Sequence, residues 1–385
     1  MANMKKNLQR TLFVACALTL LAACGKKEAA KEGVVKIGSA APLTGLIAHL
    51  GKDNENGARL ALEEVNKAGL VINGKTVTLE LVGEDDAADA KTGTSVAQKL
   101  VDANVVAVVG HLNSGVSIPA SKIYSDAGIA QVSPSSTNPD YTNQGYKTTY
   151  RVVGTDAQQG PALAHYIVKT LKIKTIAIVD DATQYGKGLA DEFEKTAKAD
   201  GATIVVREAT NDKATDFKAI LTNIKSKKPD AIMYGGMDAT GGPFAKQAKE
   251  LGITAKIIGG DGICSPTLSY LAGDAVENVV CSTVGVPLSK IKGGEDFAKR
   301  YKERFNADVQ IYSPMSYDAM MVIVDAMKRA NSTDPKAILA AMPQTNYSGL
   351  TGTISFDAKG DLKESYITIN NFKAKKVEPI DVVKM

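Results

Sequence analysis

The sequence has no tryptophan and only three histidines, His49, His111 and His165, among 385 residues. Histidine is the most frequent general base and a common metal ligand, but these three lack the spacing of a metal site. The sequence also lacks a nucleotide-binding G-x-G-x-x-G motif after the first predicted strand, a P-loop and a G-x-S-x-G nucleophile elbow. His111 follows a predicted strand and is expected to pack or hydrogen-bond locally. We therefore predict that the protein is not an enzyme and uses neither a metal nor a cofactor.

An excess of charge of one sign is also missing. The 46 Lys and Arg residues nearly balance the 42 Asp and Glu residues. Domains that bind nucleic acids usually carry a clear positive excess, so a nucleic-acid partner is not expected. Most of the small excess of basic residues comes from Lys5, Lys6 and Arg10, which lie in an N-terminal segment without acidic residues.

Long hydrophobic runs are absent except for TLFVACALTLL, which follows those basic residues. This run is too short to span a bilayer and is typical of a secretory signal peptide. It ends in Leu21-Ala22-Ala23-Cys24, which resembles the lipobox of bacterial lipoproteins, where the cysteine becomes the acylated first residue. We predict a lipoprotein signal peptide over residues 1–23 and a tether over 24–33. The protein would then lie in the periplasm or cell envelope and contact the membrane only through its lipid anchor. The alternative is an ordinary signal peptide with an incidental cysteine.

Cysteine is scarce in the rest of the chain. Cys16 lies in the predicted signal peptide and Cys24 is the predicted lipidation site, so Cys264 and Cys281 remain. An even pair in an oxidising compartment favours a disulfide. The alternative, a metal site, would need further ligands nearby.

From Val34 onward the sequence alternates short apolar runs with amphipathic helices. The apolar runs are typical of strands buried on both faces of a parallel sheet. Intervening helices of this length imply βαβ units with right-handed crossovers. The rhythm restarts after residue 150, so we predict an α/β fold in two similar halves.

The alternation becomes less regular after Val284. The segment 351–372 is predicted to form a β-hairpin with Lys359-Gly360-Asp361 at its turn. Three helices are predicted over residues 297–309, 313–331 and 334–344.

The segment VVAVVGHLNSGVS, residues 105–117, is the best local candidate for a binding site. Its first five residues predict a buried strand, and a polar loop then leads into a predicted helix. In open α/β sheets, ligands bind beyond the carboxyl ends of such strands, where hydroxyls and helix N-terminal amides can hold an anion. Ser114 is therefore a candidate for binding a carboxylate. The alternative is a polar βα turn without a ligand.

Other predicted strand ends supply uncharged donors in the first half and an acid in the second half. This division suits a zwitterion, with its carboxylate on the first half and its ammonium on the second. The residues concerned are Asn113, Ser114, Ser135, Ser136, Thr137, Tyr185, Met237, Asp238 and Asp261.

Several of these segments together resemble a known family. GHLNSGVSIPASKIY, SPSSTNPD, QQGP, DATQYGKGLA, TDFKAILTNIK, GGDG and FDAKGDLK follow one another in that order. They resemble the branched-chain amino-acid (Leu/Ile/Val) binding proteins of bacterial ABC transporters, from about Val34 to the C-terminus. The resemblance implies a type I periplasmic binding protein, with two Rossmann-like lobes built on central parallel sheets. A three-segment hinge would join the lobes, which close on a ligand like a Venus flytrap.

The same resemblance implies the bounds of the lobes. Lobe 1 would comprise residues 34–154 and 285–345, and lobe 2 would comprise 155–284 and 346–385. The chain would therefore cross between the lobes near Gly154, Val284 and Ser348.

The resemblance also implies roles for individual residues. Ser114 and Thr137 match the hydroxyl positions that hold the ligand carboxylate, and Ser136 matches a position that acts mainly through its backbone. Tyr185 matches a tyrosine of the cleft. Asp261 matches the acid that binds the α-ammonium, although the family pattern has glutamate there.

Four further positions depart from the family pattern. Leu50 replaces a tryptophan and Met237 replaces a tyrosine, and both would line the pocket for the ligand side chain. Ala88 and Asn113 occupy the positions of a disulfide near the cleft. The ligand class is therefore better supported than the identity of the ligand.

We accordingly expect a monomeric solute-binding lipoprotein that delivers an amino acid, aliphatic in its side chain, to ABC permease subunits. One alternative is a binding protein for amides, urea or aromatic amino acids. Another is a sensor subunit that closes on its ligand and docks a receptor.

Overall fold

The computed structural model describes residues 33–385. The predicted signal peptide, the lipidation site Cys24 and almost all of the tether lie outside the described residues. Across this described range, no helix has both the length and the apolar character needed to cross a bilayer.

The first half of the chain forms a six-stranded sheet, called here the first sheet. Its strands are β1 (Val34–Ala41), β2 (Leu70–Ile72), β3 (Lys75–Asp85), β4 (Ala107–Gly110), β5 (Ala130–Ser133) and β6 (Thr149–Arg151). Their spatial order is β2-β3-β1-β4-β5-β6. The pairs β1–β4, β4–β5 and β5–β6 are parallel, whereas β2 and β3 form an antiparallel pair at one edge.

A seven-stranded second sheet follows. Its strands are β7 (Thr175–Asp180), β8 (Thr203–Ala209), β9 (Ala231–Gly235), β10 (Lys256–Gly259), β11 (Val279–Val284), β14 (Tyr366–Lys373) and β15 (Lys376–Lys384). The order is β15-β14-β11-β10-β9-β7-β8. Strands β7 to β11 pair in parallel, while β14 pairs antiparallel with both β11 and β15. A small antiparallel pair consists of β12 (Asn346–Ser348) and β13 (Thr353–Ser355).

The helices fill the connections between the strands. Those connecting first-sheet strands are α1 (Ala48–Ala68), α2 (Ala90–Asp102), α3 (Ser114–Ala127) and α4 (Asp140–Asn143). Those that follow are α5 (Asp156–His165), α6 (Gln184–Ala199), α7 (Lys218–Lys227), α8 (Asp238–Glu250) and α9 (Pro266–Ala272). The last three are α10 (Gly294–Phe305), α11 (Ser313–Ala330) and α12 (Pro335–Ala341).

The predicted α/β fold in two halves is confirmed, and its apolar runs form the central strands. Strands β4, β5 and β9 are buried along their whole length, as expected for parallel strands covered on both faces. The sheets are not purely parallel, because each carries antiparallel strands at one edge. The short strand β2 and the C-terminal strand β15 were not predicted, since neither has a buried apolar run of typical strand length.

Strand β4 ends at Gly110, where the chain turns toward the site described below. Gly110 has a φ of +138°, a region that side chains disfavour. A Cβ atom there would lie 2.4 Å from the carbonyl oxygen of Ala40. The close approach of β1 and β4 at this end of the sheet therefore requires glycine.

The predicted β-hairpin over 351–372 is confirmed only at its turn, where Phe356 and Leu362 form a single antiparallel bridge, and is wrong for the two strands beyond it. The chain does reverse at the predicted turn, where the amides of Lys359, Gly360 and Asp361 donate to the Asp357 carboxylate. However, β13 pairs back with β12, and β14 pairs with β11 and β15. The turn instead docks on the first sheet, because the Arg151 side chain of β6 binds Asp361 at 2.6 Å.

Helix α11 returns the chain to the first sheet. It packs on α1 and contacts β4 and β5, and its Asp318 carboxylate accepts the amides of Leu350 and Thr351 at 2.8 and 2.7 Å. We call α1 to α4, α11 and the first sheet the first-sheet side, and α5 to α9 and the second sheet the second-sheet side.

The structure contains the predicted disulfide between Cys264 and Cys281. Their Cα atoms are 5.5 Å apart and 17 residues separate them in sequence. The bridge joins the loop after β10 to the neighbouring strand β11, and both cysteines are buried.

Removing this bridge should destabilise the protein without changing its fold. Closing a loop of this length contributes roughly 3 kcal/mol in the chain-entropy model, so Cys264→Ala/Cys281→Ala should unfold at a clearly lower urea concentration. Alkylation of the denatured protein comprising residues 25–385, which lacks Cys16 and Cys24, should find no free thiol until a reductant is added. Two reactive thiols in freshly purified, extracytoplasmic material would contradict the bridge.

Candidate functional site

The loops that follow β4, β5, β7, β9 and β10 face one another between the two sides. This is the carboxyl end of both sheets, where ligands of open α/β folds bind. The polar side chains that meet there form two groups: a carboxylate cluster around Asp261 and a hydroxyl cluster around Ser136.

Asp261 follows β10 and is buried. Its Oδ1 accepts hydrogen bonds from Gln159 Nε2 at 3.0 Å and from the Tyr185 hydroxyl at 2.9 Å. Its Oδ2 accepts the Tyr312 hydroxyl at 2.8 Å. Burial raises the pKa of this carboxyl, and the hydrogen bonds from Gln159, Tyr312 and Tyr185 oppose that change. All three side-chain donors are neutral, so Asp261 retains the capacity to pair with a cation.

Tyr185 is held in this cluster by its helix. It is the second residue of α6, whose N-cap Thr183 accepts the Gly186 amide at 3.0 Å. The Tyr185 hydroxyl also accepts the Gly262 amide at 2.9 Å. Burial and the neighbouring Asp261 charge raise the pKa of this hydroxyl, which keeps it a hydrogen-bond donor.

Tyr312 reaches the cluster from the first-sheet side. It precedes α11, and the Asp53 carboxylate of α1 accepts the amides of Ile311, Tyr312 and Ser313 at 3.1, 2.8 and 2.8 Å. A carboxylate at a helix N-terminus satisfies otherwise unpaired amides and interacts favourably with the helix dipole. Asp53 therefore fixes the backbone from which Tyr312 extends to Asp261.

The predicted hydroxyl residues lie together on the first-sheet side. Ser136 Oγ lies 2.6 Å from Ser117 Oγ and donates to the Leu112 carbonyl at 3.0 Å. Ser114 Oγ accepts the Asn138 amide at 3.2 Å. Thr137 is fully buried, and its hydroxyl has no hydrogen-bond partner among residues 33–385. Such a group is available to a ligand, because a buried polar atom without a partner is costly.

The loop that carries these hydroxyls is held from behind by Arg151. Its guanidinium donates to the carbonyls of Ser136 and Asn138 at 2.6 and 3.0 Å. In a trans peptide the N–H points away from the C=O, so the Thr137 amide faces away from Arg151. The planar fork of arginine thus sets the orientation of the loop backbone.

The N-terminus of α3 adds backbone donors to the hydroxyl cluster. Asn113 is the N-cap residue but makes no capping hydrogen bond through its side chain. Ser114 is the first residue of the helix. The amides of a first helical turn have no intrahelical partner and suit an anion.

A second carboxylate, Asp156, was not predicted as a site residue. It lies in the first turn of α5, and its amide donates to the Thr137 carbonyl at 2.8 Å. It is fully buried, and within the part of the chain that the structure describes neither carboxylate oxygen has a hydrogen-bond partner. Burial, together with the nearby Asp261, raises the pKa of Asp156 well above its ordinary value, and the neighbouring Thr137 hydroxyl opposes that change although the two groups do not form a well-aligned hydrogen bond.

Leu50 and Met237 lie in one apolar cluster between the two sides. Leu50 is fully buried in α1, and Met237 is the half-buried residue before α8. The other members include Ile47, Leu112 and Tyr312, with Ala88 packed against them. This cluster adjoins the carboxylate cluster through Tyr312 and forms an apolar wall beside it.

Hydrogen bonds join the two sides across the cleft. Two of them are described above: the Tyr312 hydroxyl to Asp261, and the Asp156 amide to the Thr137 carbonyl. The Asn138 side chain donates to the Gln184 carbonyl at 2.7 Å, and His49 Nε2 lies 2.7 Å from Asp238 Oδ2. The two sides are therefore in contact, as in a closed cleft.

The arrangement can bind a small zwitterion through its carboxylates, hydroxyls and backbone amides. Among the residues that the structure covers, no three His, Cys, Asp or Glu side chains are grouped to hold a metal. His111 is buried between Asp86 at 2.8 Å and the Tyr124 hydroxyl at 3.1 Å, in agreement with its predicted local role. The chemistry available is therefore charge pairing and hydrogen bonding.

Sequence reasoning missed three polar side chains of the carboxylate cluster: Asp156, Gln159 and Tyr312. Asp156 and Gln159 belong to one helical turn beside the QQGP segment, so their spacing was a usable signal. Tyr312 is separated from Asp261 by 51 residues, and its local sequence gives no sign of a binding role.

Comparison with known proteins agrees with this geometry. A family profile described as "Periplasmic binding protein" matches residues 34–370. The Leu/Ile/Val-binding protein homolog 1 of Brucella abortus is 37% identical over 357 residues, covering 92% of this chain and 94% of that protein. A leucine-, isoleucine-, valine-, threonine- and alanine-binding protein of Pseudomonas aeruginosa is 34% identical over 366 residues, covering 95% of this chain and 96% of that protein.

Solved structures show the same fold. A leucine-binding protein from Thermotoga maritima matches with a TM-score of 0.84 at 29% identity, covering 91% of this chain and 98% of that one. A branched-chain amino-acid substrate-binding protein from Streptococcus pneumoniae, in complex with isoleucine, matches with a TM-score of 0.83 at 29% identity. It covers 91% of this chain and 100% of that one.

Asp156 should make the ligand-free protein less stable as the pH rises. Because its pKa is raised in the folded state, the folded protein binds more protons than the unfolded chain above pH ~3.9, so the free energy of unfolding falls with pH. Asp156→Asn keeps a neutral side chain at every pH. It should therefore be more stable than the parent at pH 7. The difference should vanish below about pH 4, where the parent carboxyl is protonated in both states.

Urea unfolding of the two ligand-free proteins between pH 4 and pH 8 measures this difference. The exposed substitution Asp102→Asn is the matched control and should leave the pH dependence unchanged. An Asp156→Asn protein that is less stable than the parent at neutral pH would show that favourable contacts offset the cost of burying the Asp156 charge.

Proposed function

The chain belongs to the periplasmic binding protein family, and from that premise we propose that it is the solute-binding subunit of an ABC importer for amino acids with aliphatic, branched side chains. It captures the amino acid between the first-sheet and second-sheet sides and delivers it to a membrane permease. Membership of a family of binding proteins confirms the prediction that the chain is not an enzyme.

The main support for this proposal is that the carboxylates of the cleft form one group and the uncharged hydrogen-bond donors form another. Asp261 and Asp156 are buried carboxylates without a cationic side chain among their hydrogen-bond partners. The α3 N-terminus offers amide donors, and the Thr137 hydroxyl, which lies beside Asp156, offers a further donor. An α-amino acid has an ammonium for the first group and a carboxylate for the second.

The apolar wall around Leu50 and Met237 supports an aliphatic side chain. It lies next to the carboxylate cluster, where the side chain of an amino acid held by Asp261 would begin. The relatives named for leucine, isoleucine and valine support the same class. Met237 is flexible enough to repack around different side chains, so several aliphatic amino acids should bind.

We further propose that binding stabilises the closed arrangement of two lobes, since only that form lets both sides contact the ligand. The bounds expected from the sequence were 34–154 and 285–345 for lobe 1, and 155–284 and 346–385 for lobe 2. Contacts of segment 346–362 with α11 and β6 favour placing that segment in lobe 1, with the third crossing nearer Ser365 than Ser348.

The proposed setting is the cell envelope. Lipidation at Cys24 would hold the monomeric protein at a membrane, within reach of the permease. Two or more acyl chains anchor a protein durably, whereas a single chain is marginal.

Asp261→Asn should weaken amino-acid binding strongly. Truncating one partner of an enclosed charge pair typically costs about 2–5 kcal/mol, so the Kd for leucine should rise roughly 30-fold or more. The melting temperature of the ligand-free protein should not fall, because the variant removes a buried charge. Calorimetric titration with leucine, isoleucine and valine measures the affinity.

The surface substitution Asp216→Asn is the matched control and should leave the Kd unchanged. Near-parental affinity of Asp261→Asn would contradict the ammonium role. If the parent protein bound none of these amino acids, the proposed function itself would be wrong.

The proposed lipidation at Cys24 can be tested separately. The native protein should partition with membranes, and Cys24→Ala should appear in the soluble fraction. Mass spectrometry of the native N-terminus should show acylated Cys24. A free N-terminus produced by cleavage elsewhere would refute the lipoprotein assignment.

A further inference from the structure

Lysine is concentrated at the end of the second sheet that lies away from the cleft. Strands β7 to β11 are parallel, so their amino ends share one edge, and the antiparallel strand β14 brings its carboxyl end there. This edge contains twelve lysines, no arginine and five acidic residues. We call it the lysine face, and its segments are 169–174, 198–203, 225–230, 249–256, 273–278 and 373–376.

Hydrogen bonds and an ion pair join neighbouring segments of the lysine face. They are the Thr175 amide to Asp230 Oδ2 at 2.9 Å, Lys225 Nζ to the Leu251 carbonyl at 2.7 Å, the Asn278 side chain to the Ala255 carbonyl at 2.8 Å, and Lys375 Nζ to Asp274 Oδ1 at 2.9 Å. The six segments therefore form one continuous surface.

Most of the positive charge on this surface has no partner. Three of the lysines form ion pairs, Lys169 with Asp200, Lys198 with Glu194 and Lys375 with Asp274. The other nine form no ion pair with any residue of 33–385, and all twelve except the half-buried Lys256 are exposed. Because basic and acidic residues nearly balance over the whole chain, this excess is a local property of the lysine face.

Helix stability explains only part of this concentration. Lysines in the last turn of a helix interact favourably with its dipole, as Lys225 and Lys227 do in α7. Lys172, Lys174 and Lys376 lie outside the helices, however, and gain nothing from a dipole. Their exposed charges repel one another and favour an anionic partner.

An exposed aromatic side chain lies at the rim of the lysine face. Tyr270 of α9 is 88% exposed. Together with Lys249 and Asp274 it lines an open groove of about 480 Å³. Tyrosine is enriched where proteins meet the headgroup region of a bilayer, because its ring is apolar and its hydroxyl polar. Lysines beside an exposed tyrosine therefore suit a lipid surface.

We propose that the lysine face binds the anionic phospholipid surface of a membrane. Clustered lysines are attracted to anionic headgroups, and Tyr270 would enter the headgroup region. The lipid anchor would then not be the sole membrane contact. The lysine face lies at the amino ends of the second-sheet strands and the cleft at their carboxyl ends, so the cleft stays accessible. This inference rests on the proposed envelope setting and not on the identity of the ligand.

Cosedimentation with vesicles tests the proposal on the protein comprising residues 25–385, which has no lipidation site. It should bind vesicles of phosphatidylglycerol and phosphatidylcholine at about 0.1 M salt, and should not bind pure phosphatidylcholine. Binding should be lost near 1 M salt, where the Debye length falls to ~3 Å. Each lysine near an anionic surface strengthens binding about fivefold. Lys172→Gln/Lys227→Gln/Lys228→Gln should therefore weaken vesicle binding at least about tenfold.

The matched control removes three exposed lysines in and before α10, which packs on α1 of the first-sheet side. Lys290→Gln/Lys292→Gln/Lys299→Gln changes the net charge equally and should leave vesicle binding nearly unchanged. Equal weakening by both triple variants would overturn the lysine face, because net charge alone would explain it. A parent protein that does not bind the anionic vesicles would overturn the membrane as the partner and leave an acidic protein surface as the alternative.

Leucine titration of the same protein, free and bound to vesicles, separates this inference from the proposed function. The Kd should be the same in both states, since the cleft lies at the other end of the strands. A protein that binds the vesicles but no amino acid would contradict the proposed function and support the lysine face.

Discussion

The structure of the site depends on one buried carboxylate, Asp261, that accepts hydrogen bonds from both sides of the cleft. Tyr185 and Gln159 approach from the second-sheet side, and Tyr312 approaches from the first-sheet side. A buried carboxylate is costly unless it is hydrogen-bonded or paired. Joining the two sides therefore satisfies a group that neither side satisfies alone, and a ligand ammonium would add the charge that the neutral donors lack.

The opposite end of the site depends on a second buried charge with a structural role. Arg151 holds the carbonyls of the hydroxyl loop and binds Asp361, 210 residues further along the chain. The turn at Asp357–Asp361 is thereby attached to the first sheet, although β14, which follows it, belongs to the second sheet. The segment that leads to β14 and the hydroxyl loop are therefore held by the same arginine side chain.

The apolar wall beside the carboxylate cluster consists of small and flexible side chains that no polar contact holds in place. Leu50, Met237 and Ala88 pack together across the cleft, and the space beside them is large. For the proposed amino-acid ligand, charge recognition at Asp261 would be stringent, since an unpaired buried charge is expensive. Recognition of its side chain would be permissive, because each methylene changes affinity by only about 1–3 kcal/mol.

The sequence by itself determined the α/β alternation, the strand-end position of Ser114, Ser136, Thr137 and Asp261, and the pairing of the two remaining cysteines. These features follow from local patterns: apolar periodicity, residue type after a strand, and the number of cysteines. Only the tertiary structure decided where the turn at Asp357–Asp361 docks, which strands pair at the sheet edges, and that Asp156 and Tyr312 join the site. Those outcomes arise from contacts between residues far apart in the chain, and the free energy of such contacts depends on burial and partners that no local pattern encodes.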